Sequence, residues 1–146
     1  MTALHATVGA LLIALNLVAG TWGAVAWARA RPSRAFWILL RAAQVVVVAE
    51  VVLGFALVAS GRQVTGNLHL LYGVAPVVVA LVTEGIRGSA TQRTLAEIED
   101  PLALPRAEQD ALAESVLRRE MGVMAVGALV IVTLGLRAYF VDGAPL

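Results

Sequence analysis

Five side chains set in long apolar surroundings are of types that could do chemistry: His5, Asn16, Glu50, His69 and Arg137. A charged residue at the centre of a hydrocarbon span costs about 2.5–3.5 kcal/mol on insertion scales, so it normally faces a bundle interior and has a partner or a task. Two imidazoles entering a bundle from different helices suit the iron of a b-type haem, a known use of four-helix cores. On that reading His5 and His69 are the metal ligands. Gly9 and Gly73, four residues after each histidine, clear room for the flat macrocycle, and Arg137 pairs with a propionate. The plainer alternative makes His69 an interfacial residue bonded to a carbonyl and leaves His5 in solvent.

Glu50 carries its own pair of readings. It is a proton relay or cation ligand, alone or with Asn16, or else a protonated carboxyl bonded to Asn16 or a backbone carbonyl that fixes helix register. Glu84 and Arg87 lie one turn apart and read as an interfacial anchor. Pro76 loosens the third apolar segment by leaving a carbonyl without its amide partner. No H-E-x-x-H, Walker loop, G-x-S-x-G or catalytic acid pair occurs, which points away from an enzyme. Without cysteine, thiolate metal sites, Fe–S clusters and disulfides are excluded.

The elements that must position these residues follow from composition. Of 146 residues, 60% are hydrophobic and only 14% charged, and mean hydropathy is +0.84. A soluble domain carries roughly 25% charged residues. A nucleic-acid module is excluded, and a polytopic membrane protein remains. About 20 helical residues cross the hydrocarbon. Four segments meet that requirement, approximately 4–27, 36–60, 68–86 and 121–140, in a single domain over 1–146.

All eleven basic residues are arginine, and their placement predicts orientation. Arg29, Arg31, Arg34 and Arg41 follow the first span, and Arg93, Arg106, Arg118 and Arg119 lie in the connection between the third and fourth. Only Arg62 lies in the second connection, and none follows Phe140. The expected fold is therefore an all-α, four-helix transmembrane bundle with both termini outside. Trp22, Trp27 and Trp37 fall near the inner boundary. Residues 87–120 read as a cytoplasmic helical hairpin extending spans three and four, broken at Pro101 and Pro105. It is either a solvated stalk or a partner surface.

Helical periodicity then assigns inward stripes. The first span offers His5, Gly9, Leu12, Asn16, Gly20, Gly23 and Trp27, and the second Ala43, Val47, Glu50, Gly54, Leu57 and Gly61, with Gln44 at its edge. The third offers His69, Gly73, Pro76, Ala80, Glu84 and Arg87, and the fourth Val123, Gly127, Val130 and Arg137, with Thr133 at its edge. At 1.5 Å per residue, His69 and Arg137 each lie about 27 Å from the arginines at the inner ends of their spans, and Glu50 about 13–14 Å from Arg41. Two polar layers are expected: His5, His69 and Arg137 outside, Asn16 and Glu50 centrally.

Leu68-His69-Leu70-Leu71-Tyr72-Gly73 and Gly135-Leu136-Arg137-Ala138 carry a resemblance. Together with a histidine entering the first helix, they are similar to the motifs of a group of small bacterial four-helix membrane proteins, whose closing motif is of the longer G-L-x-x-R type. That resemblance implies a bacterial inner-membrane location and supplies no activity. In layout the chain also resembles membrane b-type cytochromes and haem A synthase halves, but it lacks the E-x-x-x-H pair of the synthase. Three functions are thus expected as alternatives. The first is haem b binding for electron transfer with a quinone or larger complex. The second is an accessory subunit of a membrane complex, or a homo-oligomer, whose stripes serve packing among membrane lipids. The third is proton or ion handling at Glu50.

Overall fold

The computed structural model describes residues 2–61, 67–96, 98 and 100–141, with the side chains of 2, 67 and 141 aside. Arg62 and the tail beyond 141 lie outside the described residues. Four helices account for nearly all of the rest: α1 Thr2–Ala28, α2 Arg34–Ala59, α3 Asn67–Ala96 and α4 Arg106–Val141. Each is long and apolar enough to cross a membrane. The architecture is an all-helical four-helix bundle, as composition and periodicity predict.

The helix ends follow from local chemistry. Ala30 takes a left-handed φ of 50°. The Arg31 amide then reaches back to the Ala26 carbonyl and the Ala30 amide to that of Trp27, each at 3.0 Å, which closes α1 as a Schellman turn. Pro32 prevents the helix from resuming. Ser33 caps α2 by accepting from the Phe36 amide at 3.3 Å, and the same hydroxyl oxygen accepts from Trp22 Nε1 at 2.9 Å. The α1–α2 corner is thus fixed from both sides. At the far end of α2, Gly61 follows the Ser60 cap with a φ of 86°, a conformation that costs glycine nothing.

α1 and α4 form the central antiparallel pair. α2 flanks α1, α3 flanks α4, and the α2–α3 seam is the loosest of the four that close the bundle. The seam between α1 and α4 is close because glycines take large neighbours on their faces: Leu129 lies against Gly20, Trp27 against Gly122 and Ile13 against Gly135. Small residues permit such approach in a membrane bundle, where dispersion rather than water exclusion holds helices together. Phe36, Leu40, Met121, Met124, Ala125 and Ala128 make one core cluster; Leu12, Val47 and Ile131 make a second. Val45, Val52, Leu71 and Leu81 are at least 60% exposed. Such an apolar exterior is what a lipid-facing bundle presents.

α3 and α4 run on as continuous helices past the hydrocarbon-length segments, as the expected hairpin does, and α3 stays helical through Pro76, ending at Ala96. One expectation changes. The buried face of α4 is Met121, Gly122, Met124, Ala125, Gly127, Ala128, Ile131 and Val132; of the expected stripe Gly127 lies on it and Val123 is half-buried, whereas Val130 and Arg137 are exposed. α4 is buried between two helices, so its contact arc is set by packing volume and carries no polar marker.

Candidate functional site around His5, Glu50 and His69

At the end of the bundle where α1 and α3 begin, three of the five candidate residues come together. His5 Nδ1 lies 3.0 Å from Glu50 Oε1, joining α1 to α2. The His5 and His69 ring centres are 6.2 Å apart, with planes inclined by 69°. Both side chains of the His5–Glu50 pair are largely buried. Nδ1 of each histidine and Oε2 of Glu50 are sealed from solvent within the chain.

The helices shape this contact through glycine. A Cβ at Gly9 would stand 2.8 Å from Glu50 Oε1, so the carboxylate rests on α1 in space that any side chain would fill. A Cβ at Gly54 would lie 3.6 Å from His5 Cε1, so the imidazole in turn rests against α2. Gly73 faces open space, with nothing within 4 Å of its Cβ position. Of the two glycines expected to clear room for a macrocycle, Gly73 has that room and Gly9 is taken by Glu50.

Asn16 and Arg137 stand apart from this centre. Asn16 is buried, and its Nδ2 donates to the Leu12 carbonyl of its own helix at 2.9 Å. Among the described residues it makes no hydrogen bond to Glu50. The expected central layer of Asn16 and Glu50 is therefore replaced by a His5–Glu50–His69 group. The reason is the origin of the depth scale. Arg41 sits two turns inside α2, whose first residue is Arg34, so counting from Arg41 placed Glu50 too shallow. Arg137 is exposed, with its guanidinium 5.9 Å from the centre of the Tyr72 ring, one turn beyond His69.

A second polar group lies toward the opposite end. Glu84 Oε1 accepts from Gln44 Nε2 at 2.9 Å and from Arg41 Nη1, and Glu84 Oε2 accepts from Arg87 Nε at 2.8 Å. Arg87 Nη1 also lies 3.5 Å from Glu120 Oε2, and Thr91 Oγ1 donates to Glu120 Oε1 at 2.6 Å. The Arg87 guanidinium stands 5.7 Å over the Trp37 ring. The sequence suggested only the Glu84–Arg87 pair. Its partners on α2 had a signal, since Gln44 and Glu84 are equally distant from Val64 in the connection between their antiparallel helices. The network ties α2, α3 and α4 and accounts for its charges internally.

The His5 group is the one with chemistry to spare. Among the described residues, no group of three or more His, Cys, Asp or Glu side chains is arranged to hold a metal ion by itself. What the site offers is an imidazole pair, one member held by a carboxylate. Two imidazoles bonded at about 2.0–2.1 Å from opposite sides of one metal would have ring centres roughly 6.3 Å apart. No family model matches the chain, and no curated protein or solved structure matches it.

Proposed function

We propose that this is a multi-pass protein of the bacterial inner membrane that binds a b-type haem through His5 and His69, near the outer face, for electron transfer. The observation that carries the reading is the 6.2 Å separation of the two rings, which equals the spacing of imidazoles on one iron. The Glu50 carboxylate supports it. A ligating histidine usually donates its other ring N–H to a carboxylate, which fixes the tautomer and raises ligand basicity. Glu50 Oε1 stands 3.0 Å from His5 Nδ1, close enough to take that part on a small rotation of the imidazole, although the two make no aligned hydrogen bond here. The open space at Gly73 and the loose α2–α3 seam favour room for a flat ring on that side. Arg137, beside Tyr72, is the cation available to a propionate. A haem so held supplies a one-electron couple, with a quinone or larger membrane complex as its exchange partner.

The visible spectrum of detergent-purified protein, expressed with haem available, tests this. A Soret band that is lost in His69→Ala and in His5→Ala is expected. Absence of the band, or a band unchanged in both variants, overturns the proposal. A second reading, proton or ion handling, is favoured by the sealed Glu50 oxygen Oε2, which has no hydrogen-bond partner among the described residues. Transport in liposomes that vanishes in Glu50→Gln supports that reading; transport that survives the substitution eliminates it.

A further inference from the structure

Beyond the bundle core, the α3 and α4 extensions enclose a groove of about 320 Å³ lined by Arg93, Thr94, Ser115, Val116 and Arg119. Two guanidinium groups reach it from two different helices. Neither forms an ion pair among the described residues, in contrast to Arg41 and Arg87, which face carboxylates. Arg119 Nη1 lies 3.4 Å from Thr94 Oγ1, and that hydroxyl spends its proton on the Ala90 carbonyl at 3.0 Å. Thr94 therefore accepts from Arg119 and steadies it at the groove wall. Ser115 likewise spends its proton on the Leu112 carbonyl at 2.8 Å. Every free donor in the groove is thus a guanidinium N–H, and the group that matches several such donors is a phosphate.

Glu120, next to Arg119 in the chain, is already taken by Thr91 and Arg87. Glu114 and Arg118 on α4 are both exposed. Arg93 lies about 9 Å along α3 beyond Arg87, which puts the groove just past the Arg87–Glu120 tie. That tie sits at the boundary of the hydrocarbon in the orientation expected from the arginines, so the groove falls at headgroup depth. Basic recesses between helices at this level suit anionic headgroups.

We propose that the groove between the α3 and α4 extensions, walled by Arg93 and Arg119, binds a phosphate group, from either an anionic phospholipid or a soluble phosphate ester. The inference is independent of haem. Two arms distinguish the sources, each run on the full chain in detergent. Native mass spectrometry after mixing with phosphatidylglycerol and phosphatidylcholine reads lipid retention. Thermal unfolding in inorganic phosphate against chloride at equal ionic strength reads the soluble ligand. Arg93→Gln combined with Arg119→Gln should weaken the responding arm about tenfold. Arg106→Gln, which removes the same charge from the same hairpin, should leave it unchanged. Selective phosphatidylglycerol retention lost in the double variant identifies the lipid phosphodiester; phosphate-specific stabilisation lost in it identifies a soluble phosphate. Selectivity in neither arm, or a double variant that binds like the parent, overturns the proposal.

Discussion

The His5–Glu50 contact is one carboxylate against one imidazole, yet it settles what each helix face must be. Glu50 needs glycine opposite it at position 9, and His5 rests on Gly54. Removing one partner of a buried pair strands the other, a cost of about 3–5 kcal/mol where both are fully enclosed. Here both side chains retain some exposure. A double-mutant cycle of His5→Ala and Glu50→Gln, read by unfolding in detergent, should therefore give a coupling energy of about 1–3 kcal/mol. A value near zero would mean that the two side chains act independently. Asn16 provides the contrast. Its amide bonds to its own helix at Leu12, so its loss strands no partner on α1's neighbours.

At the scale of the element, the end of α1 is instructive. Ala30 occupies the left-handed position of a Schellman turn, where a Cβ costs roughly 1–2 kcal/mol and glycine costs little. Ala30→Gly should stabilise the protein by about 1 kcal/mol, visible as a higher unfolding midpoint in detergent. A lower midpoint would show that the turn is not formed as described. Elements of this kind were legible from sequence in unequal measure. The four helices were, because an apolar run of that length has no other stable form in a bilayer. The inward stripes of α1, α2 and α3 were legible too, since glycines and polar residues can only be sheltered on one side. The stripe of α4 was legible only at Gly127: apart from its glycines, its buried arc is Met, Ala, Ile and Val, chemically the same as its lipid-facing arc. Nor was the company of Glu50 legible, since depth along α2 depends on where the helix starts. That start is fixed by the Ser33 cap and not by the arginine that happens to lie nearest.

For the whole molecule, orientation is the property that the arginines predict and that single cysteines can read, because the chain has none of its own. Cysteine placed at Thr2 or at Leu146 should react in intact cells with a membrane-impermeant maleimide. Cysteine at Ser33 or Ala103 should react only after permeabilisation. The reverse pattern would invert the bundle and place the His5–Glu50–His69 group on the cytoplasmic side.

The packing order α2, α1, α4, α3 also has a consequence for synthesis. Chain order and contact order disagree, for α1 finds its closest partner in the helix made last. α1 and α2 can close as a first hairpin, joined by His5 and Glu50, before α3 is complete. α3 buries almost none of its own span and packs chiefly against α4, its tie to α2 resting on Glu84 with Arg41 and Gln44. The finished bundle is thus two hairpins joined along the glycine seam of α1 and α4. A chain halted before α4 would carry both histidines and the carboxylate, yet lack the helix against which α3 chiefly packs.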